Sequence, residues 1–165
     1  MPLDLSDGSV CFIDANVLYY ALVDTPPFST SCIELLKRAG RGDVTAFTSM
    51  HLMGEVMHKI MLAEVAARYK LKRASLVNWL QANRNRIAEL KTFSQSVRIL
   101  CALPVKCLHV KSVILAEAAD IACEAALLTN DSISVALMRS NNLRHMVTND
   151  DDFDTVPGLT VWKPR

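Results

Sequence analysis

Val10-Cys11-Phe12-Ile13-Asp14 is a run of four apolar residues closed by a carboxylate. A short continuous apolar run of this kind predicts a strand buried on both faces, as in a parallel sheet. Ligands of such sheets gather just beyond the carboxyl ends of the strands, so the acid at 14 sits where chemistry is expected. Reading outward, Val44-Thr45-Ala46-Phe47-Thr48-Ser49 is β-branched and aromatic and predicts a second strand. Residues 105–110, 145–148 and 159–162 read as three more. Helical periodicity lies between them: at 29–39, stopped by Gly40 and Gly42, and at 50–68. It recurs at 72–101, in two pieces ended by Pro104, and in the Ala-rich 113–127. A last helix is expected at 131–140, with Asp131 as its N-cap. The order β-α-β-α-α-α-β-α-α-β-β predicts an α/β fold, a three-layer α/β/α sandwich on a mainly parallel sheet of four to five strands.

The chain has 165 residues, 51% apolar and 21% charged, which excludes disorder and fibrous repeats and fits a single domain over 1–165. Five cysteines with no C-x-x-C pair do not form a disulfide framework, and buried free thiols in a reducing compartment are expected. The opening Met1-Pro2-Leu3-Asp4 lacks a charged, apolar leader, and no window is apolar enough to span a membrane, so a cytoplasmic location is expected. Formal net charge is only +1, but charge is segregated. Residues 1–58 carry 3 basic and 7 acidic side chains, 59–111 carry 11 and 2, and 112–165 carry 4 and 8. The middle block, with an extended basic helical segment at about 59–104, is either a solvated face or a footprint for a phosphate backbone.

The acidic blocks hold a recurring theme. Asp14 follows the first predicted strand and Asp150 the fourth. Glu55 lies one to two turns into the helix after the second strand, and Asp131 opens the helix before the fourth. Four carboxylates from separated segments can therefore converge at one edge of the sheet. Two carboxylates ~4 Å apart repel by about 4 kcal/mol at an effective dielectric near 20. Such a cluster persists when it shares protons or binds a cation, and a hard divalent ion suits oxygen ligands best.

Taken in order, Ile13-Asp14-Ala15-Asn16-Val17-Leu18, Thr48-Ser49 followed by Glu55, Asn130-Asp131 with Ala136, and Thr148-Asn149-Asp150-Asp151-Asp152-Phe153 with Pro157-Gly158-Leu159 resemble a PIN domain, most closely the VapC-type ribonuclease toxins. The resemblance spans nearly the whole chain, with a middle longer than in compact toxins. It implies an acidic catalytic and metal-binding quartet at Asp14, Glu55, Asp131 and Asp150, with Asp152 as a further metal ligand and Asn16 and Thr148 as supporting residues. It implies hydrolysis of RNA phosphodiesters with one or two Mg²⁺ or Mn²⁺ ions, leaving a 5′-phosphate and a 3′-hydroxyl. It further implies an antitoxin partner and a homodimer. The alternatives are a stand-alone ribonuclease in RNA processing and a non-catalytic module binding RNA or protein.

Other constellations are weaker. His51, Glu55 and His58 share a helix face, and Glu55-Val56-Met57-His58 matches half of a di-iron motif, but the chain has no second Glu-x-x-His. His109 and His145 read as packing residues in strands. Glu117, Asp120 and Glu124 read as an exposed stripe. Met50, Met53, Met57 and Met61 read as a core or oligomer seam. No phosphate-binding glycine loop or nucleophile elbow is present.

Overall fold

A computed structural model describes residues 3–165, so the leader reading at Met1 and Pro2 lies outside the described residues. The elements run β1 (Val10–Ile13), α1 (Ala15–Leu22), α2 (Ser29–Arg41), β2 (Thr45–Ser49) and α3 (Met50–Tyr69). They continue with α4 (Leu76–Ala82), α5 (Lys91–Cys101), β3 (Lys106–Leu108), α6 (Ser112–Ala125), α7 (Thr129–Ser140), β4 (His145–Val147) and β5 (Thr160–Trp162). Short 3₁₀ turns precede α4, α5 and β5.

All four strand pairings are parallel, in the order β3-β2-β1-β4-β5. The chain steps from β1 outward to β2 and β3, then returns across the sheet to β4. That reversal makes the gap between the carboxyl ends of β1 and β4 the topological switch point. Helices α1, α2, α3 and α5 pack among themselves, and α6 packs on α7. With the right-handed crossovers that parallel strands adopt, the reversal of strand order assigns these two groups to opposite faces of the sheet. The fold is thus the expected α/β sandwich.

Cys11, Phe12 and Ile13 are wholly buried in β1, and Met146 and Val147 in β4, as a strand covered on both sides requires. Thr48 Oγ1 donates to the Ile13 carbonyl at 3.1 Å, bracing the ends of β1 and β2 against each other. Gly42, at φ 84°, closes α2 in the left-handed conformation and turns the chain toward β2.

The segment after α3 builds a smaller hydrophobic cluster of Val65, Leu76, Leu80 and Leu90. Phe93 packs against both this cluster and the main core. The basic segment is therefore a packed helical cap, held to the body through α3 and α5.

The structure corrects several sequence expectations. Two helices, not one, join β1 to β2. Ala15–Leu22 is apolar almost throughout and shows little helical period, and Asp14, which the sequence marks only as a strand end, is its N-cap. Helix α7 begins at Thr129 with Leu128 in the cap position, so Asp131 lies in the first turn. There its charge faces the positive end of the helix dipole instead of capping it. Of the cysteines only Cys11 and Cys32 are buried; Cys101 and Cys123 are exposed on α5 and α6, and all five are free. His109 is exposed just beyond β3 and is not a packing residue. The buried stripe of α3 is Leu52, Val56, Ile60 and Val65, while Met50 and Met57 face solvent. Glu117 is half-buried, and Asp120 and Glu124 are exposed as expected.

Candidate active site

The site begins where β1 gives way to α1. Asp14 is 7% exposed and caps α1, its Oδ1 accepting from the Ala15 amide at 2.6 Å. Its Oδ2 accepts from the Thr148 hydroxyl at 2.7 Å and from the Asn16 side-chain amide. Asn16 also donates to Thr148 Oγ1 at 2.9 Å, and Asn16 Oδ1 accepts from the Asn149 amide at 3.1 Å. The Asp150 amide donates to Thr148 Oγ1 at 3.0 Å. One network thus ties the end of β1 to the loop after β4, across the switch point. Burial still pushes the Asp14 carboxyl upward, against the lowering effect of Thr148 and the Ala15 amide.

Glu55 comes from the other side, on α3. Its carboxylate is paired with Lys59 at 2.7 Å, one turn along the helix, and accepts from Asn130 Nδ2 at 2.8 Å. Burial raises its pKa, but the Lys59 and Asn130 contacts outweigh this, and the net shift is downward. Lys59 also draws the Asp14 pKa down by its charge. Beside them His51 bonds the Ser49 hydroxyl at 2.8 Å and the Asn130 carbonyl at 3.3 Å, and desolvation lowers its pKa. His51 is thus a half-buried structural residue, while His58 is exposed.

Asp131 is the electrostatic centre. Burial, followed by the negative charges of Asp14, Asp150, Glu55 and Asp152, pushes its pKa up from 3.8 to about 6. Asp150 Oδ1 accepts from the Asp152 amide at 3.0 Å, and Lys163 donates to the Asp150 carbonyl and pairs with Asp151 at 3.0 Å. The fold therefore brings all five predicted acids into one electrostatic field, with Asn16 and Thr148 bonded to Asp14. It does not gather them into a closed ligand set: among the described residues no three Asp, Glu, His or Cys side chains are grouped to hold an ion. Glu55 is instead held by Lys59 and Asn130.

The donor chemistry fits a hard divalent cation. The side chains are oxygen donors, they carry excess negative charge, and Asp131 is strained toward protonation by its neighbours. Sequence reasoning placed the acids but missed two of their partners. Lys59 had counted only as part of the basic block, although its i+4 spacing from Glu55 was a readable signal. The role of Asn130 in holding Glu55 depends on the approach of α7 to α3, for which the chain offers no local sign.

A cavity of about 330 Å³ adjoins the acids, and Asn16 and Lys59 belong to both its wall and the acidic site.

The PIN domain family model matches residues 11–159. Among curated proteins none resembles the chain at a significant level. Similar solved structures include VapBC2 from Rickettsia felis, bound to a DNA fragment from their promoter. It shares 14% identity at a TM-score of 0.62, over 94% of this chain and 99% of that one. VapC20 from Mycobacterium tuberculosis, a sarcin-ricin loop cleaving toxin, shares 17% identity at a TM-score of 0.58, over 90% and 96%. A toxin–antitoxin complex from Klebsiella pneumoniae shares 18% at 0.53, over 91% and 95%. At such identities the likeness is one of fold. It spans these chains almost end to end, so the middle segment does not set this fold apart in length.

Proposed function

We propose that this chain, which belongs to the PIN domain family, a family of nucleases, is a divalent-metal-dependent endoribonuclease and the toxin of a toxin–antitoxin pair. The observation that carries the reading is Asp14 at the β1–β4 switch point, bonded across it to Thr148, with Asp131 half-buried in the joint field of Asp14, Glu55, Asp150 and Asp152. Acids that destabilise one another's charge are relieved by a shared proton or a cation, and the switch point is where a parallel sheet binds its ligand. In this reading Asp14, Glu55, Asp131 and Asp150, with Asp152, hold one or two Mg²⁺ or Mn²⁺ ions. A bound ion would neutralise charge on the scissile phosphate and ease deprotonation of the attacking water.

The chain's own residues do the rest. Thr148 and Asn16 keep the Asp14 carboxylate fixed and its outer lone pairs directed. Asn130 and Lys59 orient Glu55. Lys59, paired with Glu55 at 2.7 Å, would be free to meet a substrate phosphate if a bound cation neutralised Glu55 in its place. The Lys and Arg of 59–111 attract the RNA backbone. The antitoxin and the homodimer are parts of this proposal, supported by the fold shared with toxin complexes and by exposed Met50 and Met57 on α3. A cytoplasmic location belongs to the same proposal; no helix of the described residues is long and apolar enough to cross a membrane.

The test is cleavage of single-stranded RNA with Mg²⁺ or Mn²⁺ by the wild type and by Asp14→Asn. The asparagine oxygen can still accept from Ala15 and cap α1, while its amide nitrogen loses the bond from Asn16, so circular dichroism is used to check that the variant is folded. Its rate is expected to fall by at least about 100-fold, the scale of losing one group that stabilises transition-state charge. Cleavage by wild type that persists in EDTA, or survives intact in the variant, refutes the assignment.

A further inference from the structure

We propose that the cavity beside the acids is a subsite for one nucleobase of a single-stranded RNA, with the adjoining phosphate held by Lys59 and Arg73. This rests on the ribonuclease reading and goes beyond it by naming where the substrate is gripped. The cavity runs between α1 and α3. Asn16, Tyr19 and Tyr20 stand at i, i+3 and i+4 on α1, so they share a face. Lys59, Leu62 and Ala66 stand at i, i+3 and i+7 on α3 and form the facing wall. Both helices leave the carboxyl edge of the sheet, so both walls start at the acids and the cavity lies one to two turns further along.

Continuity identifies the occupant. Asn16 lines the cavity and bonds Asp14; Lys59 lines it and pairs with Glu55 at 2.7 Å. A polymer lodged there can place its next link at the acids, which suits a chain of alternating bases and phosphates. The chemistry agrees. Tyr20 stacks on Phe28 with centroids 4.9 Å apart, and Tyr19 meets Tyr20 edge-on at 6.1 Å. This gives a braced aromatic wall, facing the apolar side chains of Leu62, Ala66 and Leu76 across room for a flat ring. Arg73, at the rim, is exposed and has no ion pair among the described residues. A volume of about 330 Å³ is at the lower end for ligand pockets and suits one base. An apolar peptide would also fill the floor, but it has no use for two cations beside a metal-binding edge.

The experiment scans an abasic residue along a single-stranded RNA and measures kcat/KM with Mn²⁺ for the wild type, Ala66→Trp and Arg73→Ala. For wild type, one abasic position is expected to lower kcat/KM about tenfold or more, the scale of one lost base stack. Ala66→Trp, which fills the cavity, should lose a similar factor on intact RNA and nothing further on the abasic strand. Arg73→Ala, an exposed change that spares the fold, should raise KM several-fold and lower the salt slope by about one phosphate contact. Circular dichroism confirms that Ala66→Trp is folded; should it not be, the Arg73→Ala and abasic arms decide. Active wild type with no sensitive abasic position, equal abasic losses in wild type and Ala66→Trp, or an unchanged KM in Arg73→Ala overturns the subsite while leaving the nuclease intact. Peptide occupancy would give that same lack of coupling to RNA. Wild type with no cleavage at all overturns the ribonuclease reading and the subsite with it.

Discussion

Asp14 and Asp131 show how differently one residue type is used. Asp14 is buried, yet its two oxygens accept from an amide, a hydroxyl and an asparagine. Asp131 is half-buried in the field of four like charges, and no protein hydrogen bond to its carboxylate is present among the described residues. Its folded pKa, about 6, lies above the ordinary 3.8. Between those values the native state binds more protons than the unfolded chain. The stabilising contribution is therefore fully present below about pH 3.8 and is lost as pH rises through about 6. Metal-free wild type should lose melting temperature relative to Asp131→Asn across that window, when the two are compared by thermal denaturation in chelator. Parallel curves from pH 4 to 7 would show that the field on Asp131 is absent. The acids themselves were legible because strand ends and sequence order placed them. Their partners were less so, because a contact such as Asn130 with Glu55, 75 residues apart, is set by packing between helices.

At the scale of elements, the strands were legible because each is a short run with apolar, β-branched or aromatic residues, bounded by turns or helices. The helical cap was harder. Residues 72–101 have the expected two helices, but 3₁₀ turns start each piece, and their stability comes from Val65 on α3 and Phe93 on α5. Glu64 of α3 accepts from the backbone amides of Thr92 and Phe93, satisfying the start of α5 from outside its own sequence. Glu89 likewise gathers Arg68, Arg86 and the Tyr69 hydroxyl. The cap therefore depends on its small cluster. Leu80→Ala should cost about 2–5 kcal/mol locally. Hydrogen exchange should show α4 and the turns around it losing protection while β1 and β4 keep theirs. Equal loss throughout would mean that cap and sheet unfold as one unit. Helix α1 escaped the sequence reading for the opposite reason: an apolar helix covered on most sides has little amphipathic period to read.

Over the whole molecule, net charge is close to zero, but its two signs are separated. Five acids share one electrostatic field around Asp131, and the only two acids of the basic block, Glu64 and Glu89, are spent inside it on α5 and on Arg68 and Arg86. Most of the block's cations remain for a polyanion. Affinity for single-stranded RNA should then fall with salt at about 0.7 per phosphate neutralised on a log–log plot. A flat response, measured by fluorescence anisotropy with Asp14→Asn to prevent cleavage, would assign the block to solubility alone. The central claim is that the separated acids act as one cation site. Calorimetric titration of Mn²⁺ into the wild type, beside Asp14→Asn and Asp131→Asn, tests it most directly. Saturable binding by the wild type, with a rise in melting temperature and a large loss of affinity in both variants, is the expected result; no binding, or equal binding by all three proteins, would contradict it.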